Sequence, residues 1–157
     1  MYAEAVVRDG ENSENNFEFE EVGEGFDASA FAKKAVTGAE EMLGAGTVPS
    51  GKYDLVISAH AMTSLLSAFS SVFSAKNAQL GLSMLAGKEG EKIAADIVNI
   101  TDDPMREGLP AQTFFDAEGV AAKRKSVVEA GVLKTLLHNR ETAAKAGVES
   151  TGNASKG

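Results

Sequence analysis

The chain has 157 residues, 43% of them hydrophobic and 24% charged, enough for one modest domain with a core or for pieces of two domains of a longer protein, and far from the composition of a disordered chain. A net charge of -8 repels a phosphate backbone, so direct nucleic-acid binding is not expected. With no cysteine there is no disulfide and no thiolate metal ligand, no apolar run approaches the roughly 20 residues of a membrane span, and Met1-Tyr2-Ala3-Glu4 has no basic lead into an apolar stretch, which together point to a cytoplasmic protein with no membrane partner.

Tyr2 to Val7 and Asn16 to Val22 read as strands joined through an Asp9-Gly10 turn. The alternation Phe17-Glu18-Phe19-Glu20 puts aromatic rings on one face and carboxylates on the other. Six glutamates and no Lys or Arg lie between Glu11 and Glu24, either a solvated sheet face or a site for a cation or basic peptide. Asp27 can cap a helix running to Leu43, stopped by Gly44 and Gly46, and Thr47 to Lys52 is the expected domain boundary. A short apolar strand is expected over Tyr53 to Ser58. After it Met62, Leu65, Leu66, Phe69, Val72 and Phe73 recur at helical steps, the pattern of a helix packed on a core. Burial of such a stripe contributes roughly 1.5 to 3 kcal/mol per large side chain before entropy.

Gly87 and Gly90 frame a turn, Ile93 to Ala95 suggests a short helix, and Ile97 to Ile100 reads as a strand closed before Pro104. Lys125 to Val128 and Val132 to Leu136 form a second hairpin across Glu129-Ala130-Gly131, and Asn139 caps a last helix over Arg140 to Ala146, stopped by Gly147. Hairpin signals at both ends of the chain, with helices between, give an α+β class with mixed or antiparallel sheets.

Candidate chemistry is sparse. His60 and His138 each stand alone, without a second imidazole or a carboxylate at ligand spacing, and read as capping, structural or surface residues. Ser67, Ser70, Ser71 and Ser74 have no nucleophile elbow and no triad order, which leaves a polar helix face. Asp102-Asp103 and Asp116 with Glu118 are carboxylate pairs suited to turns and caps, or to acid/base work or a hard cation. Thr151-Gly152-Asn153 can fold into a turn whose amides hold a carbonyl or carboxylate, though not a nucleotide. Lys123, Arg124, Lys125, Lys134, Arg140 and Lys145 make the last third basic against the acidic first third, which suits either subunit orientation or a solvated hairpin face.

Five segments in fixed order carry a resemblance: Leu85-Ala86-Gly87-Lys88-Glu89-Gly90-Glu91-Lys92-Ile93, Asp102-Asp103-Pro104, Phe114-Phe115-Asp116-Ala117-Glu118-Gly119-Val120, Glu129-Ala130-Gly131-Val132-Leu133-Lys134, and Ser150-Thr151-Gly152-Asn153-Ala154. Together they resemble the TldD/PmbA family, the so-called modulators of DNA gyrase related to a zinc protease of peptide maturation. The resemblance implies that residues 1–47 are part of a central or N-terminal α+β region. Residues 48–157 would be the first part of a metalloprotease-like C-terminal domain, the whole being a fragment of a larger two-domain protein. In catalytic members of the TldD type a helix before these segments carries His-Glu-x-x-x-His, with a cysteine nearer the C-terminus. Here the corresponding stretch, within residues 61–74, holds no His, Glu or Asp.

The resemblance therefore implies a PmbA-like subunit without catalytic residues or a metal of its own in this chain, its zinc residing in a TldD-like protease partner, and with an unfolded peptide as substrate of the assembly. Self-association as a dimer is the other partner arrangement. By the same resemblance Phe115, Asp116, Glu118 and Gly119 lie near the substrate, and Thr151, Gly152 and Asn153 join them as expected peptide contacts. Two alternatives stay open: a hydrolase whose metal ligands lie outside these residues, and a homodimeric peptide-binding scaffold without protease activity.

Overall fold

The computed structural model describes residues 1–20, 22–107 and 112–155, and the chain divides into two compact units, Met1–Asp54 and Leu55–Gly157. In the first, strands β1 (Tyr2–Asp9) and β2 (Asn12–Phe19) form an antiparallel hairpin in which Asp9 faces Asn12. The loop is Gly10-Glu11, and Gly10 takes φ +60, a backbone conformation open to glycine. The second strand thus begins four residues earlier than its alternation suggested and ends at Phe19, and Glu21 lies outside the described residues.

Helix α1 (Ala28–Glu40) starts where Asp27 accepts hydrogen bonds from the Ser29 and Ala30 amides at 2.9 and 3.1 Å. It buries Phe31, Ala35 and Ala39, one residue per turn. The face of β2 toward the helix is the polar one. Asn16 donates to the Ala35 carbonyl at 3.3 Å, Glu18 pairs with Lys34 at 2.8 Å, and Gly38 lies so close to the Asn16 side-chain amide that a Cβ there would displace it. The aromatic face is the exposed one, with Tyr2 stacked on Phe17 at 5.7 Å and Phe19 65% exposed. The solvated carboxylate face expected here is therefore inverted at Glu18, where a Lys from α1 supplies the counter-charge.

The second unit places residues 55–58 outside any strand, and no segment pairs with them among the described residues. Helix α2 (Ala59–Phe69) begins at Ser58, whose hydroxyl accepts the Ala61 amide, and runs into a 3-10 turn over Ser70–Phe73. No residue of α2 is buried, and Leu65, Leu66 and Phe69 are 46%, 45% and 65% exposed. The helix forms as its period predicts, but it is not the core helix expected, since periodicity identifies an apolar face and not what covers it. Only Val72 and Phe73, in the turn, pack against the core.

That core consists of Ala75, Leu85, Val127, Val128, Leu133 and Leu136. It gathers α3 (Ala75–Gln79) and an antiparallel sheet in the order β3 (Ile100–Asp102), β4 (Lys125–Glu129), β5 (Val132–Leu133). Glu129 faces Val132, so the hairpin loop has two residues, Ala130 at φ +48 and Gly131 at φ +76, rather than the three expected. Residues 93–95 do not form the expected helix: the Ile93 and Ala94 amides both donate to the Gly131 carbonyl, drawing the segment across the hairpin tip. Residues 95–98 turn back on themselves, which delays β3 to Ile100. Helix α4 (Arg140–Ala146) has the expected ends, a reciprocal Asn139–Thr142 cap and Gly147 at φ +69. The architecture is α+β with antiparallel sheets, and no helix among the described residues is long and apolar enough to cross a membrane.

Candidate functional site

The two segments singled out by sequence, 115–119 and 151–153, meet in the second unit through a shared set of hydrogen bonds. Asp116 is buried, 7% exposed, and its carboxylate is fully engaged by backbone donors. Oδ1 accepts the Glu118 and Val120 amides, both at 2.9 Å, and Oδ2 accepts the Ala154 amide at 2.9 Å. The Ala117 amide returns a bond to the Ala154 carbonyl at 3.1 Å. Burial pushes the Asp116 carboxyl up, but the three backbone donors, helped by the charge of Arg140, outweigh it and leave its pKa below the ordinary 3.8. Gly119 takes φ +74 to close this loop. Such a carboxylate stays ionised and holds a turn; it is poorly placed to exchange a proton with a ligand.

Glu118 reaches the other way. Its Oε2 accepts the backbone amide of Arg140 at 2.8 Å, at the start of α4, where the free amides of a helix favour negative charge. Phe115 stands 66% exposed opposite Ala121 across a single antiparallel bridge. The adjoining Phe114 is 63% exposed, so both rings of this segment face solvent.

The 150–153 turn closes on His138. The His138 carbonyl accepts the amides of Thr151 and Asn153 at 3.2 and 3.4 Å and the hydroxyls of Ser150 and Thr151, and Thr151 Oγ1 accepts the His138 amide at 2.6 Å. The amides of Thr151, Gly152 and Asn153, expected to hold an outside carbonyl or carboxylate, are engaged by His138 and Ser150. Gly152, at φ +71, lies so close to Ala121 that a Cβ would sit 2.8 Å from its carbonyl oxygen. Asn153 donates to Asp102 Oδ2 at 2.7 Å, and Lys125 binds the same oxygen at 2.8 Å. A carboxylate only accepts, so this contact fixes the Asn153 amide with its oxygen turned away, where it is buried without a partner. Asp103 pairs with Arg124 at 3.1 Å. Of the two carboxylate pairs suggested by sequence, Asp102 and Asp103 each have their own cation, whereas Asp116 and Glu118 are held by backbone amides.

The open face of this arrangement is a groove of about 470 Å³, bounded by residues 120–121 and 123–125 on one side and by Thr135 with residues 149–151 on the other. Sequence reasoning missed it. The basic run 123–125 was visible, but the facing wall is supplied by residues ten or more positions away, and no local pattern signals that approach. Asp102 was missed as an anchor for the same reason, Asn153 being 51 residues away.

The metal motif implied by the resemblance has no counterpart in these donors. α2 and the 3-10 turn after it present Leu65, Leu66, Ser67, Ser70 and Ser71 where imidazole and carboxylate would be needed, the imidazole of His60 standing alone in the first turn of α2, and hydroxyls are poor zinc ligands. Among the described residues no three His, Asp or Glu side chains converge as ligands do, and His138 is 5% exposed with its backbone clasped by the 150–153 turn. The described residues do not fit a zinc site.

Residues 50–157 match the profile of the PmbA/TldA metallopeptidase C-terminal domain. The chain is 42% identical over 117 residues to a protein named metalloprotease from Methanothermobacter thermautotrophicus, covering 74% of this chain and 26% of that one. It superposes on a Thermotoga maritima protein described as a modulator of DNA gyrase with a TM-score of 0.88 and 39% identity, over 99% of this chain and 37% of the other. For TldE from Thermococcus kodakarensis the TM-score is 0.78 at 27% identity, over 99% and 36%. The chain thus spans between a quarter and two fifths of the length of these relatives. With the profile match over its second unit and the same fold across nearly its whole length, the chain belongs to the PmbA/TldD family.

Proposed function

We propose that this chain is part of a PmbA-like subunit that binds peptide and performs no cleavage itself, working beside a TldD-like zinc protease of the cytoplasm in peptide maturation and proteolysis. One observation carries the reading. The resemblance places the metal motif within residues 61–74, which follow the lone imidazole of His60 in the first turn of α2 and offer leucines, phenylalanines and serines instead of a second imidazole and a carboxylate. Losing those side chains removes the metal and the general base together, since a hydrolytic zinc needs about three protein ligands and a nearby proton acceptor. The peptide role rests on the groove, which is large enough for a short extended segment, and on exposed Phe115, the bridge partner of the lining residue Ala121. Asp116, Glu118, Gly119, Gly152 and Asn153 act there by holding the backbone that shapes the groove, while Phe115 and Thr151 supply surface.

Elemental analysis of the full-length purified protein, coupled to a casein-peptide cleavage assay with and without a TldD-like partner, tests this. The expected result is no bound zinc and cleavage only with the partner present. Near-stoichiometric zinc with chelator-sensitive cleavage by this protein alone overturns it.

A further inference from the structure

We infer that the 470 Å³ groove selects acidic peptide segments, with Lys123 as the residue that sets the preference. The inference rests on the peptide-binding reading above and adds the class of substrate.

Three consecutive cations lie on one wall of the groove in a chain whose net charge is -8. They are not equivalent. Lys125 is committed to Asp102, with its side chain 14% exposed. Arg124 gives its Nε to Asp103, with its side chain 71% exposed and the rest of the guanidinium free to face a ligand. Lys123 is exposed and has neither an ion pair nor a hydrogen bond among the described residues. The opposing wall carries a single carboxylate, Glu149, beside the hydroxyl residues Thr135, Ser150 and Thr151. After pairing, the wall from 123 to 125 therefore keeps uncompensated positive charge from Lys123 and open guanidinium donors from Arg124.

The backbone along that wall suits an extended ligand. Val120 and Ala122 turn their groups toward the Phe115 loop, where the Asp116 amide donates to the Val120 carbonyl and the Ala122 amide to the Phe114 carbonyl, each at 2.9 Å. An extended chain alternates, so Lys123 carries its amide and carbonyl on the other side, unpaired among the described residues. A peptide laid along it can take a backbone hydrogen bond and set a carboxylate side chain between Lys123 and Arg124. A nucleic acid is disfavoured, because the groove lining contains no aromatic ring for bases to stack on and the chain as a whole is acidic.

The test uses fluorescence anisotropy with labelled extended hexapeptides, alternating alanine with Glu, Ser or Lys, against the protein and its Lys123→Glu variant in low and moderate salt. The acidic peptide is expected to bind about tenfold more tightly than the neutral one at low salt, with the margin shrinking as salt rises. Lys123→Glu is expected to abolish that margin while leaving the circular-dichroism melt unchanged, since the side chain is exposed and unpaired. Equal binding of all three peptides, or an acidic preference that survives Lys123→Glu, overturns the selectivity and leaves peptide binding standing. Absence of binding by every peptide sinks the peptide reading itself, and displacement of the acidic peptide by a six-nucleotide single strand at equal concentration overturns the assignment to peptide.

Discussion

Asp116 shows how a residue chosen for its chemistry can serve the fold instead. Its folded pKa is lowered from 3.8, so the unfolded chain takes up a proton that the folded loop refuses as pH falls through the window below that value. Its stabilising contribution is therefore complete above the unfolded pKa and is lost as pH drops through the folded one. Asp116→Asn is expected to lower the urea midpoint at neutral pH, because the carboxamide replaces one acceptor with a donor facing amide donors. The same variant should flatten the acid limb of midpoint against pH from about pH 5 downward. Parallel acid limbs in the two proteins would show that the loop does not hold the charge. The residue type was legible in the sequence, as was its place in a Gly-containing loop. The donor from Ala154 was not, since it comes from 38 positions away. His138 and Asn153 follow the same logic: each looked solitary in sequence, and each is fixed by partners that only the fold supplies.

At the scale of elements, local signals proved legible where the physics is local. Asp27 and Asn139 each cap a helix with a side-chain acceptor a few positions from the amides it satisfies, and Gly147 ends α4 in the left-handed region, whereas Ser58, read as the end of a strand, also caps a helix. Hairpins were found from their turn residues, but loop length and strand ends depend on register, which is set across the ladder. Residues 53–58 have strand composition without a strand, since a ladder needs a neighbour. Burial was the least legible property. Leu133 is 0% exposed and Leu65 46% exposed, although both sit in apolar runs of similar strength. Leu133→Ala should cost roughly 2 to 5 kcal/mol in chemical denaturation of this chain, whereas Leu65→Ala should shift it by less than about 1 kcal/mol. Equal losses at the two positions would mean that α2 is covered in solution.

Across the whole molecule, the acidic balance and the basic groove act in opposite directions. A net charge of -8 slows encounter with anionic ligands at long range, and the local cations of residues 123–125 act only within about a Debye length, ~8 Å at physiological salt. The acid preference inferred for the groove is thus a short-range effect, felt after encounter, and appears more strongly in dissociation than in association. The profile match lies almost wholly in the second unit, which also contains the groove and the Asp116 loop, while the first unit brings its hairpin and α1.

The Tyr2–Phe17 stack has an optical consequence. The chain contains no tryptophan and only two tyrosines, Tyr2 on the exposed hairpin face and Tyr53, whose hydroxyl donates to the Pro49 carbonyl at 2.7 Å. Both fall within Met1–Asp54, so the intrinsic tyrosine emission of this chain originates wholly in the first unit. The unit that holds the groove is dark at those wavelengths, and its folding and ligand responses must be followed through backbone ellipticity or an introduced fluorophore.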